Sequence, residues 1–167
     1  MTQASAIRPV ADGDAAAIAA IYAPYVEQTV ISFETTAPDA EEMLRRIHSI
    51  RDCGMPYIVA IDDTGVAGYA YVHPWKERHA YRHTVEATVY LRQDARRCGI
   101  GLALMRELIG LCRADGRIHA VIACITADNL ASQALCRRFG FEKVSHFRQV
   151  GYKSGRWLDV VDYQLTL

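Results

Sequence analysis

The sequence predicts an α/β fold, with one domain over residues 1–167 built on a mixed central β-sheet flanked by helices, in the order β-α-α-β-β-β-α-β-α-β-β. Three observations predict it. Short runs of β-branched and aromatic residues alternate with segments whose apolar residues recur at helical spacing. Asp62-Asp63-Thr64-Gly65 between two of the strand-like runs is a hairpin signal. The run Thr84–Leu91 (T-V-E-A-T-V-Y-L) then leads through a turn holding Gly99 and Gly101 into another helical pattern.

Taken in order, Ala6–Val10 suits a first strand, and Asp12 or Asp14 can cap a helix carrying Ile18, Ile21, Tyr22, Tyr25 and Val26 on one face. That helix fades near Gln28, and Thr29–Thr36 reads as extended or loop. Pro38 suits the first turn of a second helix, with Met43, Leu44, Ile47 and Ile50 as its apolar stripe and Cys53-Gly54 as its end. Tyr57–Ile61 and Val66–Val72 form the hairpin strands. His73–His83 is a polar, aromatic-rich loop into the Thr84–Leu91 strand. Leu102, Met105, Leu108, Ile109 and Cys112 mark the helix from Gly101 to Asp115. Ala120–Thr126 is a short apolar strand. Asn129 caps a helix with Ala131, Leu135 and Phe139 facing inward and Gly140 as its stop. Phe141–Tyr152 is a strand with a bend, and Trp157–Leu167 returns from the Lys153–Arg156 turn as the last.

Composition narrows the class. With 19 basic and 19 acidic residues the net charge is zero, which argues against a general nucleic-acid binder. There is no apolar run near the length of a membrane span and no signal-peptide pattern at Met1–Arg8. Five cysteines, an odd number without C-x-x-C spacing, read as reduced thiols. These point to the cytoplasm. His79 and His83 lack the helix and third ligand that a zinc site needs, so no metal is expected.

The chemistry gathers around Thr84–Gly101. Arg96, Arg97, Gly99 and Gly101 lie where the strand gives way to the helix. Glycines there let the backbone approach a ligand, and the unpaired N–H groups, helix dipole and guanidinium groups make a socket for a phosphate-bearing molecule. No Lys-Ser or Lys-Thr follows as in a P-loop, and the third glycine of a dinucleotide-binding turn is missing. One short segment upstream, Glu86 is the only charge in its strand. A carrier socket beside an acid–base group suggests group transfer. A buried strand carboxylate can act as a base; equally, Glu86 can pair with Arg78 or Arg82 or face solvent.

R-R-C-G-I-G (Arg96–Gly101) resembles the [RQ]-x-x-G-x-[GA] loop of GCN5-related N-acetyltransferases, which grip acetyl-coenzyme A. Asn129, Ala131-Ser132, Leu135 and Phe139-Gly140-Phe141 resemble the family's later N-x-A-S-x-x-L-x-x-x-F-G-F block. Ser32-Phe33-Glu34, Pro74-Trp75-Lys76, Thr84-Val85-Glu86 and Gly151-Tyr152-Lys153 with Gly155–Asp159 resemble the phosphinothricin and methionine-sulfoximine N-acetyltransferases over nearly the whole chain.

The resemblance implies a GNAT fold and acetyl-CoA-dependent acetylation of the α-amine of a small amino-acid analogue by direct transfer. Glu86 is then the general base. Val89, Tyr90 and Leu91 present backbone groups to the pantetheine arm, and Arg96, Arg97, Cys98, Gly99, Ile100 and Gly101 hold the pyrophosphate. Asn129 and Ser132 reach the coenzyme, unless Asn129 is a plain helix cap. Arg78 faces the acceptor's carboxylate or phosphinate, with Phe33 and Tyr81 shaping the pocket and Lys153 contributing, in cis or across a homodimer. Cys136 stands where many relatives carry a tyrosine acid, and it reads as structural. Rival readings are the same chemistry on a polyamine, an aminoglycoside or a protein N-terminus, and a non-catalytic acyl-CoA sensor. The basic loop of Lys76, Arg78 and Arg82 disfavours cationic acceptors.

Overall fold

A computed structural model describes residues Ala6–Leu167; most of Met1–Arg8, where no signal-peptide pattern is expected, lies outside them. Among the described residues, eight strands and four α-helices follow one another. They are β1 (Ala6–Pro9), α1 (Ala15–Gln28), α2 (Ala40–Asp52), β2 (Tyr57–Asp62), β3 (Gly65–Pro74), β4 (Thr84–Leu91), α3 (Ile100–Ala114), β5 (Ala120–Thr126), α4 (Leu130–Arg138), β6 (Glu142–Lys143), β7 (Phe147–Lys153) and β8 (Arg156–Thr166). The strands form one mixed sheet in the order β1-β2-β3-β4-β5-β8-β6, with β7 also paired to β8. Every pairing is antiparallel except β4 with β5, which the α3 crossover makes parallel.

Side-chain alternation divides the sheet into two faces. One packs on α1 and α2 through Ile18, Val26, Ile47, Val59 and Tyr69. The other packs on α3 and α4 through Val72, Val85, Leu104, Leu108, Val121 and Val161.

Several local expectations change. Neither Asp12 nor Asp14 caps α1 with its side chain; Asp14 turns back to take two bonds from Arg8, at 2.8 Å each, and one from the Ala11 amide. A paired carboxylate satisfies that guanidinium better than a helix start would. Asp39, not Pro38, opens α2, its carboxylate accepting the Glu42 amide. The expected Phe141–Tyr152 strand divides into β6 and β7, because Ser145 bonds β8 and Gln149 adopts a left-handed conformation (φ 53°) at a bulge. On α4, Ala131 is exposed; Gln133 and Cys136 are buried instead.

Candidate active site

The site forms where the sheet opens. Register pairing between β4 and β5 covers only Thr84–Glu86 against Ala120–Ile122, while β3 stays paired to β4 as far as Leu91. From Ala87 onward, therefore, the edge of β4 turned toward β5 has no strand to bond. Such a row of free N–H and C=O groups is a template for an added extended chain. Val89 and Leu91 turn main-chain groups to it, the Leu91 carbonyl already taking the Tyr25 hydroxyl, while Tyr90 between them turns its main chain to β3. Close packing behind them depends on Gly68: a Cβ there would lie 2.5 Å from Leu91 Cδ2 and 2.9 Å from the Tyr90 carbonyl.

Beyond the end of β4 the chain turns into α3 with two positive φ angles, 61° at Arg97 and 83° at Gly99. Left-handed residues within such a turn aim successive N–H groups into one concavity, and the first turn of α3 adds its own unpaired N–H groups. Gly101 lies against Leu91. Cys98 bends its thiol back to the Arg96 carbonyl (3.4 Å). Ile100 is buried and anchors the helix start. Arg97 is exposed at the turn. Arg96 lies over the Tyr25 ring, 4.9 Å from its centroid, and donates to the Tyr25 hydroxyl, which in turn donates to the Leu91 carbonyl at 2.6 Å. Asn129 and Ser132 meet each other at the start of α4, the Asn129 side chain accepting the Ser132 amide and donating to its hydroxyl.

Glu86 stands at the last paired position before the opening, its side chain 25% exposed. Burial is the main reason that its proton affinity is raised; His73 opposes this and Asp162 adds to it. The basic side chain that meets it is His73, whose Nε2 is 4.0 Å from Glu86 Oε2. Among the described residues no arginine pairs with Glu86, so the alternative with Arg78 or Arg82 is set aside. The carboxylate is desolvated and only loosely partnered, as a proton acceptor must be.

The segment between α1 and α2 covers the same sheet face. Thr126 at the end of β5 donates to the Val30 carbonyl (2.9 Å). The Tyr22 hydroxyl meets Ser32 and Glu34, and Glu34 takes two bonds from Arg46. Lys153 reaches across from β7 to donate to the Val26 and Ser32 carbonyls at 2.7 and 2.6 Å. The Phe33 ring lies so close over Gly151 that a Cβ there would meet it at 2.2 Å. Phe33 and Lys153 are thus brought together, and Lys153 is engaged within its own chain. On the β3–β4 connection Arg78 is exposed and Tyr81 packs edge-on to Trp75, with Lys76 over both rings. Cys136 is buried among core residues, and burial pushes its thiol up to about 11, in keeping with a structural part. His73, Cys124 and Asp162 beside Glu86 were not expected from the sequence; only strand register places them together.

An unpaired strand edge that ends at a helix start with free amides, with a raised carboxylate beside it, fits an acyltransferase that takes its acyl group from a long phosphorylated carrier. The acetyltransferase (GNAT) domain family matches residues 7–161. A phosphinothricin N-acetyltransferase of Alcaligenes faecalis is 40% identical over 98% of this chain and 83% of its own length. A methionine sulfoximine/methionine sulfone acetyltransferase of Pseudomonas aeruginosa is 38% identical over 98% and 95%. A phosphinothricin acetyltransferase from Sinorhizobium meliloti, solved in complex with acetyl-CoA, superposes with a TM-score of 0.94 at 40% identity, over 99% of this chain and 89% of its own. The chain belongs to the GNAT family, and as a member it is an N-acetyltransferase with acetyl-CoA as co-substrate.

Proposed function

We propose that the protein acetylates the α-amine of a small amino-acid analogue of the phosphinothricin, methionine sulfoximine or methionine sulfone type, by direct transfer with Glu86 as general base. The position of Glu86 carries the reading: a partly buried, raised carboxylate at the point where β4 and β5 part. Val89–Leu91 bond the extended pantetheine, and the amides from Arg97 to Gly101 receive the diphosphate. Arg96 and Cys98 shape that turn, while Asn129 and Ser132, paired with each other at the start of α4, reach the coenzyme. An amine that arrives as ammonium gives one proton to Glu86; the neutral nitrogen then bonds the acetyl carbon, the carbon–sulfur bond breaks, and the thiolate takes the second proton released as the amide forms. Arg78 binds the acceptor's acidic group, with Phe33 and Tyr81 as walls and Lys153 holding the wall in place.

The chain acts as one domain over residues 1–167, and as a homodimer through the exposed apolar side chains of its last hairpin. Neutral net charge and free thiols support a cytoplasmic protein that engages neither nucleic acid nor membrane. No helix among the described residues is long and apolar enough to cross a membrane.

The deciding experiment is coenzyme A release across an acceptor panel, for wild type and Glu86→Gln. The wild type should turn over the amino-acid analogues with the highest kcat/KM. Glu86→Gln should lower kcat by roughly 10²- to 10⁴-fold while binding acetyl-CoA as before. An unchanged rate between pH 6 and 9 removes Glu86 as base, and binding of acetyl-CoA without turnover of any amine favours a sensor.

A further inference from the structure

Glu86 belongs to a polar row that crosses four adjacent strands. His73 on β3 is its register partner on one side and Ile122 on β5 its partner on the other. Cys124, two residues past Ile122, shares that face, and Asp162 on β8 is the register partner of Cys124. Burial is the first reason that the Cys124 thiol holds its proton, and the neighbouring carboxylates of Asp162 and Glu86 add to it. Asp162 is fixed by its backbone, its amide bonded to Ser145 Oγ at 3.0 Å and its carbonyl accepting the Val144 amide at 2.9 Å. Yet its Oδ1 is buried and meets no donor among the described residues. An acceptor left without a donor is rare in a folded chain, and it leaves the Asp162 carboxylate free to act on its neighbours across the sheet.

We propose that Asp162 is a positioning residue for the acetyl transfer: through the Cys124 thiol it forms with Glu86 a paired-carboxylate seat that receives the acceptor's ammonium and directs its proton onto Glu86. The inference rests on the reading of Glu86 as base and deepens it, because the acceptor is then admitted as a cation at its reacting nitrogen. One proton passes from the nitrogen to Glu86, and neither Asp162 nor Cys124 gives or takes one. With its neighbour charged, Glu86 holds a proton more readily, in the direction that its surroundings already impose. The titratable groups facing Glu86 are His73 from β3, Cys124 from β5 and Asp162 from β8, with Tyr71 of β3 within its field. None of them is a lysine or an arginine.

The test is the pH profile of kcat/KM for the amine in Asp162→Asn, Cys124→Ala and Glu86→Gln. Asp162→Asn removes a like charge, so the acidic limb should move to lower pH by about half a unit or more, with a raised KM for the amine and an unchanged KM for acetyl-CoA. Asp162→Glu should restore both. Cys124→Ala removes a donor from the Glu86 carboxylate and should move the limb the other way, which keeps the proposal testable if the Asn variant does not fold. A limb that stays in place in the folded Asp162→Asn protein, or in Cys124→Ala when Asp162→Asn is lost, overturns the proposal. If the limb vanishes in Glu86→Gln but is unmoved in Asp162→Asn, Asp162 fails alone. If Glu86→Gln keeps both the limb and the rate, the base assignment falls and takes the seat with it.

Discussion

At the residue scale, the environment that makes Glu86 useful also burdens the fold. Burial favours its protonated form, so folding raises its pKa above the unfolded value of about 4.3. At neutral pH the ionised group therefore lowers stability, and this penalty fades as the pH falls through the raised folded-state pKa. We expect Glu86→Gln to melt above the wild type at pH 7.5 and to lose that advantage near pH 4. A lower melting temperature at pH 7.5 would mean that the contact with His73 outweighs the burial. Asp62 is the opposite case: the Arg92 guanidinium at 2.6 Å holds its carboxyl down to about 2, so that pair supports the fold until strongly acidic pH. Glu86 was legible in the sequence because it is the one charge in a β-branched run. Asp162 was not, since nothing near it in the chain shows that Cys124 of another strand faces it.

The same division between local and distant holds for the elements. The turn into α3 could be read directly, because Arg96–Gly101 are contiguous and positive φ at a helix start favours glycine. The helices α2, α3 and α4 and the β2–β3 hairpin were likewise fixed by neighbouring residues. What spacing alone could not give was the parting of β4 from β5, a property of register: pairing stops at Glu86 and Ile122 although both strands continue. It could not show the break between β6 and β7 either, where Ser145 and Gln149 take partners on β8. We expect the amides of Ala87–Leu91 that point away from β3 to exchange rapidly with deuterated solvent in the free protein and slowly with acetyl-CoA bound. Equal protection in both states would place the carrier elsewhere.

Across the whole molecule, the unexplained surface is apolar. Phe147, Val150, Tyr152 and Trp157 are each at least half exposed on the final hairpin, and Tyr152 packs edge-on to Trp157 at 5.0 Å. Contiguous apolar surface of this kind marks a contact between proteins, which is why we place the homodimer there. Light scattering should give twice the 18.6 kDa chain mass, and Trp157→Glu should give the monomer. A monomeric wild type would leave that hairpin without its proposed role.

The ties from Lys153 to Val26 and Ser32 span 127 and 121 positions of the sequence. Loop closure over such distances is slow and entropically costly, whereas β4 and α3, which grip the donor, are neighbours in the chain. The two halves of the enzyme thus have unequal ancestry in folding. If Phe33 and Lys153 form the acceptor wall as proposed, loosening of the final hairpin should cost discrimination between amines before it costs the hold on the donor.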